Sequence, residues 1–274
     1  MSAPALVGLR CRTTERTPGS LRGVEALTPL LADRLGVQAR LIGSPGEPRA
    51  QDWEDDLAGS RGCLLEAGGQ VDDALAAGRA PVLAAGQCAV CLTTLPALAH
   101  HRPDARVLWL DAHGDFNTPD TTPSRFLGGM CLAGACGRWD AGFERSGFPA
   151  ERLVLCGVRD LDAGEREALE RSPATVIGAA LETLVYLQNA LDGSPTYVHL
   201  DLDVLDPAVM PAEHPAGGGL APEKLYDLLD AVADTCEVVG VEITCLEDPA
   251  LAGMVADTIA PLLDAFRAPR QSEE

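Results

Sequence analysis

The chain has 274 residues, 46% of them hydrophobic, which is enough to bury a substantial core within one domain. Its 41 Asp and Glu against 21 Lys and Arg leave a formal net charge of −20, so a nucleic-acid backbone or an anionic membrane surface would repel it and a small-molecule partner is expected. No apolar run is long enough to span a bilayer; with no basic-then-apolar leader at the start, a cytoplasmic location is the expectation.

Short apolar runs alternate with longer amphipathic stretches, the pattern of βα units around a mainly parallel sheet. In chain order, strands are expected at residues 6–10, 39–42, 81–85, 107–110, 153–156, 197–200 and 238–243. After the first, Ser20 is placed to cap a helix whose Leu21, Val24, Leu27 and Leu31 form one apolar stripe. Pro29 could kink that helix, and Gly36 sits just past its end. Residues 43–52 and 118–129, rich in Pro, Gly and Thr, read as loops, and 222–233 as another helix. A single domain over 1–268 would leave 269–274 as a polar, disordered tail. Uninterrupted runs such as Val107-Leu108-Trp109-Leu110 suit strands covered on both faces by helices. In open sheets of that kind, ligands bind beyond the carboxyl ends of the strands.

The nine cysteines are an odd number without paired CxxC spacing, so most are expected to be reduced. Cys131, Cys136 and Cys156, flanked by small and apolar residues, read as buried packing. Cys88 and Cys245 are treated separately below.

Directly after strand 107–110 comes Asp111-Ala112-His113-Gly114-Asp115, and after strand 197–200 comes Asp201-Leu202-Asp203. One such Asp could cap a helix, but two clusters converging from two strand ends ask for more. Carboxylates packed together repel one another unless cations neutralise them, and carboxylate with imidazole suits Mn(II) or a similar divalent metal. A two-metal site activates a water for attack on a trigonal carbon.

The segments DAHGDFNTP at 111–119 and HLDLDVLDP at 199–207 resemble the two signatures of the ureohydrolase family, which includes arginase and agmatinase; the similarity extends from about residue 81 to about 248. The resemblance implies a three-layer α/β/α sandwich around a parallel sheet. It also implies two Mn(II) ions held by Asp111, His113, Asp115, Asp201 and Asp203, with Asp111 and Asp201 bridging and Asp115 catalytic. Asn117 and Ser124 match positions that hold a substrate α-carboxylate in arginases, and Asp162 and Glu165 match those that receive its α-ammonium. Alone, that last pair could equally be the acidic first turn of a helix. Together the four favour an L-amino acid over decarboxylated agmatine. Homo-oligomers are common in the family, and one is possible here.

Three departures stand out. Where the family carries Gly-Gly-Asp-His-Ser, this chain reads Ala85-Gly86-Gln87-Cys88-Ala89, with Cys88 in place of a metal-binding histidine. A thiol aimed at a metal becomes a ligand thiolate, softer than Mn(II) prefers, so weaker or altered occupancy is expected at that half-site. In the loop Ser124-Arg125-Phe126-Leu127-Gly128-Gly129, Gly128 replaces a histidine proposed to shuttle protons. In Gly240-Val241-Glu242-Ile243-Thr244-Cys245-Leu246-Glu247, the glutamate that anchors a guanidinium falls on Cys245. Glu242 matches a separate catalytic acid, while Glu247 would share the Cys245 face if the chain stayed extended.

Losing the anchor suits a less basic group, and a hydroxyl on a guanidine lowers its proton affinity. The residues thus resemble the hydroxyarginine-cleaving branch of the family, in which cysteine likewise replaces a metal-binding histidine; that branch releases L-ornithine and hydroxyurea. Ordinary arginine, another guanidino acid, or a non-catalytic binding role stay open. Oxidation of Cys88 with Cys245, or with Cys91 one helical turn on, is a further expectation.

Overall fold

The computed structural model describes residues 3–143, 147–178 and 183–267. Eight strands form one parallel sheet in the order β2-β1-β3-β8-β7-β4-β5-β6. In chain order the elements are β1 (Ala5–Leu9), α1 (Gly19–Leu35), β2 (Arg40–Ile42), α2 (Trp53–Ala76), β3 (Pro81–Ala84), α3 (Cys91–His101), β4 (Arg106–Leu110) and α4 (Cys131–Ala135). They continue as β5 (Leu153–Cys156), α5 (Ala163–Glu170), β6 (Thr175–Ile177), α6 (Thr183–Leu191), β7 (Thr196–Asp201), α7 (Pro222–Thr235), β8 (Val238–Thr244), α8 (Ala252–Thr258) and α9 (Ala260–Asp264).

Alternation along the strands divides the interior in two. Val82, Leu108, Leu110, Val198 and Leu200 join one core with the apolar stripes of α1, α6 and α7. Leu83, Val107, Trp109 and Tyr197 join the other, with α2 and α3. Because successive side chains of a strand point to opposite faces, a run such as 107–110 is apolar throughout and feeds both cores. The architecture is therefore the expected α/β/α sandwich.

Seven strands lie where the pattern puts them, within a residue or so at each end. The eighth, β6, is a three-residue edge strand whose Thr175 and Val176 are exposed, too short and too polar to show a period. The cap of α1 differs from expectation: Pro18 occupies it, and Ser20 lies inside the first turn, buried and making no cap. Tertiary contact draws the start forward, since a Cβ on Gly19 would sit 2.3 Å from the Glu247 carbonyl oxygen. Gly36, with φ 66°, ends α1, and Pro29 lies within it. One cysteine pair was not legible in the spacing: Cys11, after β1, is bonded to Cys63 of α2, while the other seven are free. Residues 269–274 lie outside the described residues.

Parallel register brings four strand ends together. Leu110 of β4 pairs Leu200 of β7, so Asp111 and Asp201 follow side by side; Asp201 in turn pairs Thr244 of β8, and β8 pairs β3. The acidic loop after β4, the Asp pair after β7 and the cysteines after β3 and β8 thus share one edge of the sheet, as ligand sites of open parallel sheets do.

Candidate metal centre

A cavity of about 370 Å³ opens at that edge. Of the residues singled out by the sequence, Cys88, His113, Asp115, Asn117, Ser124, Asp162, Glu165, Asp201, Asp203 and Cys245 line it. Asp111 and Glu242 do not: Asp111 stands behind His113, and Glu242 lies deeper, behind His199.

At the β4–β7 side, His113 Nδ1 lies 2.9 Å from Asp203 Oδ2 and 3.4 Å from Asp111 Oδ1. Asp111 is buried and held by the Trp109 indole N–H at 3.0 Å and the His113 amide at 2.7 Å. Asp203 accepts from the Ala112 amide at 3.0 Å, and its own amide donates to Asp201 Oδ1 at 2.8 Å. Burial and the neighbouring Asp203 charge push the Asp111 carboxyl up to about 7, and burial with the Asp111 charge lifts Asp115 well above the carboxylate range. Burial opposes a charge on His113, yet Asp111 and Asp203 outweigh it and push the imidazole up to about 12.

The β3–β8 side is built on sulfur. The Cys88 thiol donates to Asp201 Oδ2 at 2.8 Å and sits 3.1 Å from Thr244 Oγ1, 3.2 Å from His199 Nε2 and 4.0 Å from Cys245 Sγ. Burial, then Cys245 and the Asp201 charge, raise this thiol well above its ordinary range. Behind it, His199 stacks on Trp109 at 3.5 Å with the planes 2° apart, and its Nδ1 lies 2.6 Å from Glu242 Oε1. The Thr94 and Tyr197 hydroxyls donate to the other Glu242 oxygen, so this carboxylate orients His199 from outside the cavity. His199 opens the second signature, but nothing in the sequence marked it as facing Cys88.

Two strained residues aim into the cavity. Asp115 and Cys245 have φ of 50° and 64°, in the left-handed region that non-glycine residues seldom adopt. The turn at Cys245 also corrects the expectation for Glu247: the chain is not extended there, and Glu247 points away, accepting from Thr17 Oγ1 at 2.5 Å. At the former histidine position, a Cβ on Gly128 would lie 2.4 Å from Phe126 Cε1, so Phe126 fills the space.

The outer wall holds the amino-acid-binding candidates. Asp162 and Glu165 form the capping box of α5. Buried Glu165 accepts from the Phe116 amide at 2.8 Å and the Asp162 amide at 3.3 Å; burial, only partly offset by these bonds, pushes it up to about 7. Exposed Asp162 accepts from Asn117 Nδ2 at 3.1 Å, and Ser124 is exposed at the same mouth. On the facing side are Glu213 and His214, which sequence reading passed over. They follow the second signature by only a few residues, but lie in a Pro- and Gly-rich loop without a period.

The donor set fits a divalent metal pair. Cys88, Asp111 and His199, then Cys88, Asp201 and Cys245, then Asp111, His113 and Asp203 each offer ligand atoms within 4.8 Å of one another. Buried carboxylates whose ionised forms are disfavoured by burial and mutual repulsion are what cations relieve.

The model of the Arginase family matches residues 6–260. The N(omega)-hydroxy-L-arginine amidinohydrolase of Streptomyces lavendulae is 34% identical over 264 residues, covering 94% of this chain and 96% of that protein. An arginase of Brevibacillus brevis is 34% identical over 201 residues, covering 65% of this chain and 66% of that protein. Among solved structures, the arginase of Bacillus caldovelox superposes with a TM-score of 0.84 at 23% identity, covering 98% of this chain and 100% of that one, which speaks for the fold. The chain belongs to the arginase family, whose members are dinuclear-metal hydrolases, and it is an amidinohydrolase acting on an amidine C–N bond.

Proposed function

We propose that this arginase-family hydrolase cleaves Nω-hydroxy-L-arginine with water to L-ornithine and hydroxyurea. The observation that carries the reading is the sulfur side of the site: Cys88, hydrogen-bonded to Asp201, and Cys245 line the wall where an arginase would present a ligand histidine and a guanidinium-binding glutamate. A neutral hydroxyguanidine needs less charge from position 245 than a guanidinium does. The similarity to a hydroxyarginine amidinohydrolase over nearly the whole chain points the same way.

Asp111, His113, Asp115, Asp201, Asp203 and Cys88 would hold two Mn(II) ions, with weaker occupancy near Cys88 because thiolate is a softer donor than Mn(II) favours. When bound, the pair supplies a water acidified enough to attack the guanidine carbon near neutral pH. Asn117 and Ser124 take the substrate α-carboxylate at the mouth. Exposed Asp162 takes the α-ammonium, with Glu165 behind it fixing the first turn of α5. This leaves the hydroxyguanidine pointing inward. Asp115, strained toward the cavity, is the group to carry the proton from attacking water to the departing ornithine nitrogen. Glu242 holds His199 against Cys88 and acts through it.

The test is to incubate reduced, Mn(II)-loaded protein with hydroxyarginine and with arginine, then quantify ornithine, urea and hydroxyurea. Equal ornithine and hydroxyurea, with kcat/KM above that for arginine, is the expected result. Faster release of urea from arginine would make it an arginase, and no turnover with both metals bound would make it a binding protein.

A further inference from the structure

Glu213 combines features found nowhere else in the cavity wall. Its side chain is 8% exposed, and it lines the same cavity as Cys88, Asp201 and Cys245. Only one carboxylate oxygen is engaged: Oε2 accepts from the Arg16 amide at 3.3 Å and from Gln87 Nε2 at 3.4 Å. The other oxygen, Oε1, is buried without a hydrogen-bond partner, and the nearest imidazole nitrogen, Nε2 of His214, is 3.8 Å away. Among the described residues no Lys or Arg side chain forms an ion pair with it. A buried carboxylate oxygen lacking a donor is costly, and in a ligand cavity the group that satisfies it is the ligand.

The support around Glu213 holds it in place. The Arg16 guanidinium lies over the Phe126 ring at 4.6 Å, and His214 packs on the same ring at 4.8 Å between centroids. Gln87, which donates to Glu213, immediately precedes Cys88, so the carboxylate is tied to the sulfur side of the metal centre. Family anchoring would come from position 245, but Cys245 carries no carboxylate.

We propose that Glu213 is the specificity-determining residue for the guanidine end of the substrate, its free Oε1 accepting the N–H groups on the edge that carries no hydroxyl. The role of the glutamate absent from position 245, just past β8, thus moves to the loop after β7. This rests on the amidinohydrolase reading above.

The test compares the Mn(II)-loaded wild type with Glu213→Gln and Glu213→Asp. The Gln variant keeps the shape and an acceptor for the Arg16 amide, but removes the charge. Hydrolysis of hydroxyarginine is followed for KM and kcat, L-ornithine binding by calorimetry, and metal content by elemental analysis. Glu213→Gln should raise KM for hydroxyarginine about 10–100-fold, the scale for hydrogen bonds to a charged group, and raise it further for arginine. Ornithine lacks the guanidine, so its affinity should stay within about twofold, as should metal content; Glu213→Asp should recover part of the loss. Unchanged KM in Glu213→Gln, or an equal loss of ornithine affinity, would overturn the assignment while leaving the amidinohydrolase reading intact. If Glu213→Gln does not fold, wild-type KM in the Asp variant overturns it equally. A wild type that cleaves no guanidino acid overturns both.

Discussion

The two sides of the metal centre are made from the same sheet edge but from opposite chemistry. Between β4 and β7, Asp111, His113 and Asp203 offer hard oxygen and nitrogen donors, fixed by backbone amides and the Trp109 indole. Between β3 and β8, Cys88 meets Thr244, His199 and Cys245 together with the Asp201 carboxylate. The hard side would attract a divalent cation in almost any metal-hydrolase setting, whereas the sulfur side, on the proposed reading, would tune which metal stays and which substrate is held. The contrast separates what the family's chemistry needs from what distinguishes this chain within it.

The most severe way to break the contrast is to remove a residue that belongs to both sides. Asp201 accepts from Cys88 through Oδ2 and from the Asp203 amide through Oδ1. Asp201→Ala should lower kcat at least about 10²–10³-fold, the scale for losing one group that stabilises the reacting centre, and lower metal content with it. Full activity with two metals bound would remove Asp201 from the site.

Oxidation should disable the sulfur side alone. The Cys88 and Cys245 sulfurs are 4.0 Å apart, so an approach of about 2 Å closes a disulfide. Cys91 is a poorer partner than its spacing suggested, because its thiol pairs with Cys131 instead. Metal-free protein treated with oxidant should lose most hydroxyarginine hydrolysis and regain it with reductant plus Mn(II). Peptide mass spectrometry should find the Cys88–Cys245 link; oxidised, inactive protein with Cys88 still a free thiol would discard the idea.

Making both sides hard gives a smaller effect. Cys88→His should bind Mn(II) about tenfold or more tightly at limiting metal, within the range over which ligand surroundings move metal affinity. It need not create an arginase, since Gly128 and Cys245 are unchanged. Identical metal titrations would make Cys88 a packing residue.

The smallest effect lies beneath the sulfur side, where Glu15 packs against Gly86 so closely that a Cβ there would lie 2.1 Å from its Oε1. Burial, opposed by amide bonds from Thr13 and Thr14, pushes Glu15 from 4.5 up to about 7. A carboxyl with a raised folded-state pKa binds more protons folded than unfolded between those values. Its contribution is therefore complete below about pH 4.5 and is lost as pH rises through about 7. The Tm advantage of wild type over Glu15→Gln should shrink between pH 5 and pH 8 by roughly 2–4 °C or more. A difference that does not change with pH would place the role of Glu15 in packing alone.

What the sequence determined by itself is the sheet and the hard half of the site. Strand runs buried on both faces carry their own signal, and Asp111, His113, Asp115, Asp201 and Asp203 sit in unbroken segments at the ends of those strands or within five residues of them, so locating the strand locates the candidate ligands. Strand β6 escaped because three half-exposed edge residues show no period, and the cap of α1 because Gly19 packs against a segment more than two hundred residues away. Tertiary structure alone decided the rest. Cys88 faces His199 and Cys245 only because β3, β8 and β7 are neighbours in space, an order that no local pattern encodes. The positive φ at Cys245 turned Glu247 out of the cavity, and packing of Arg16, Phe126 and His214 brought Glu213 in. Such contacts join distant loops, and loops have no periodicity to report which way a side chain will point.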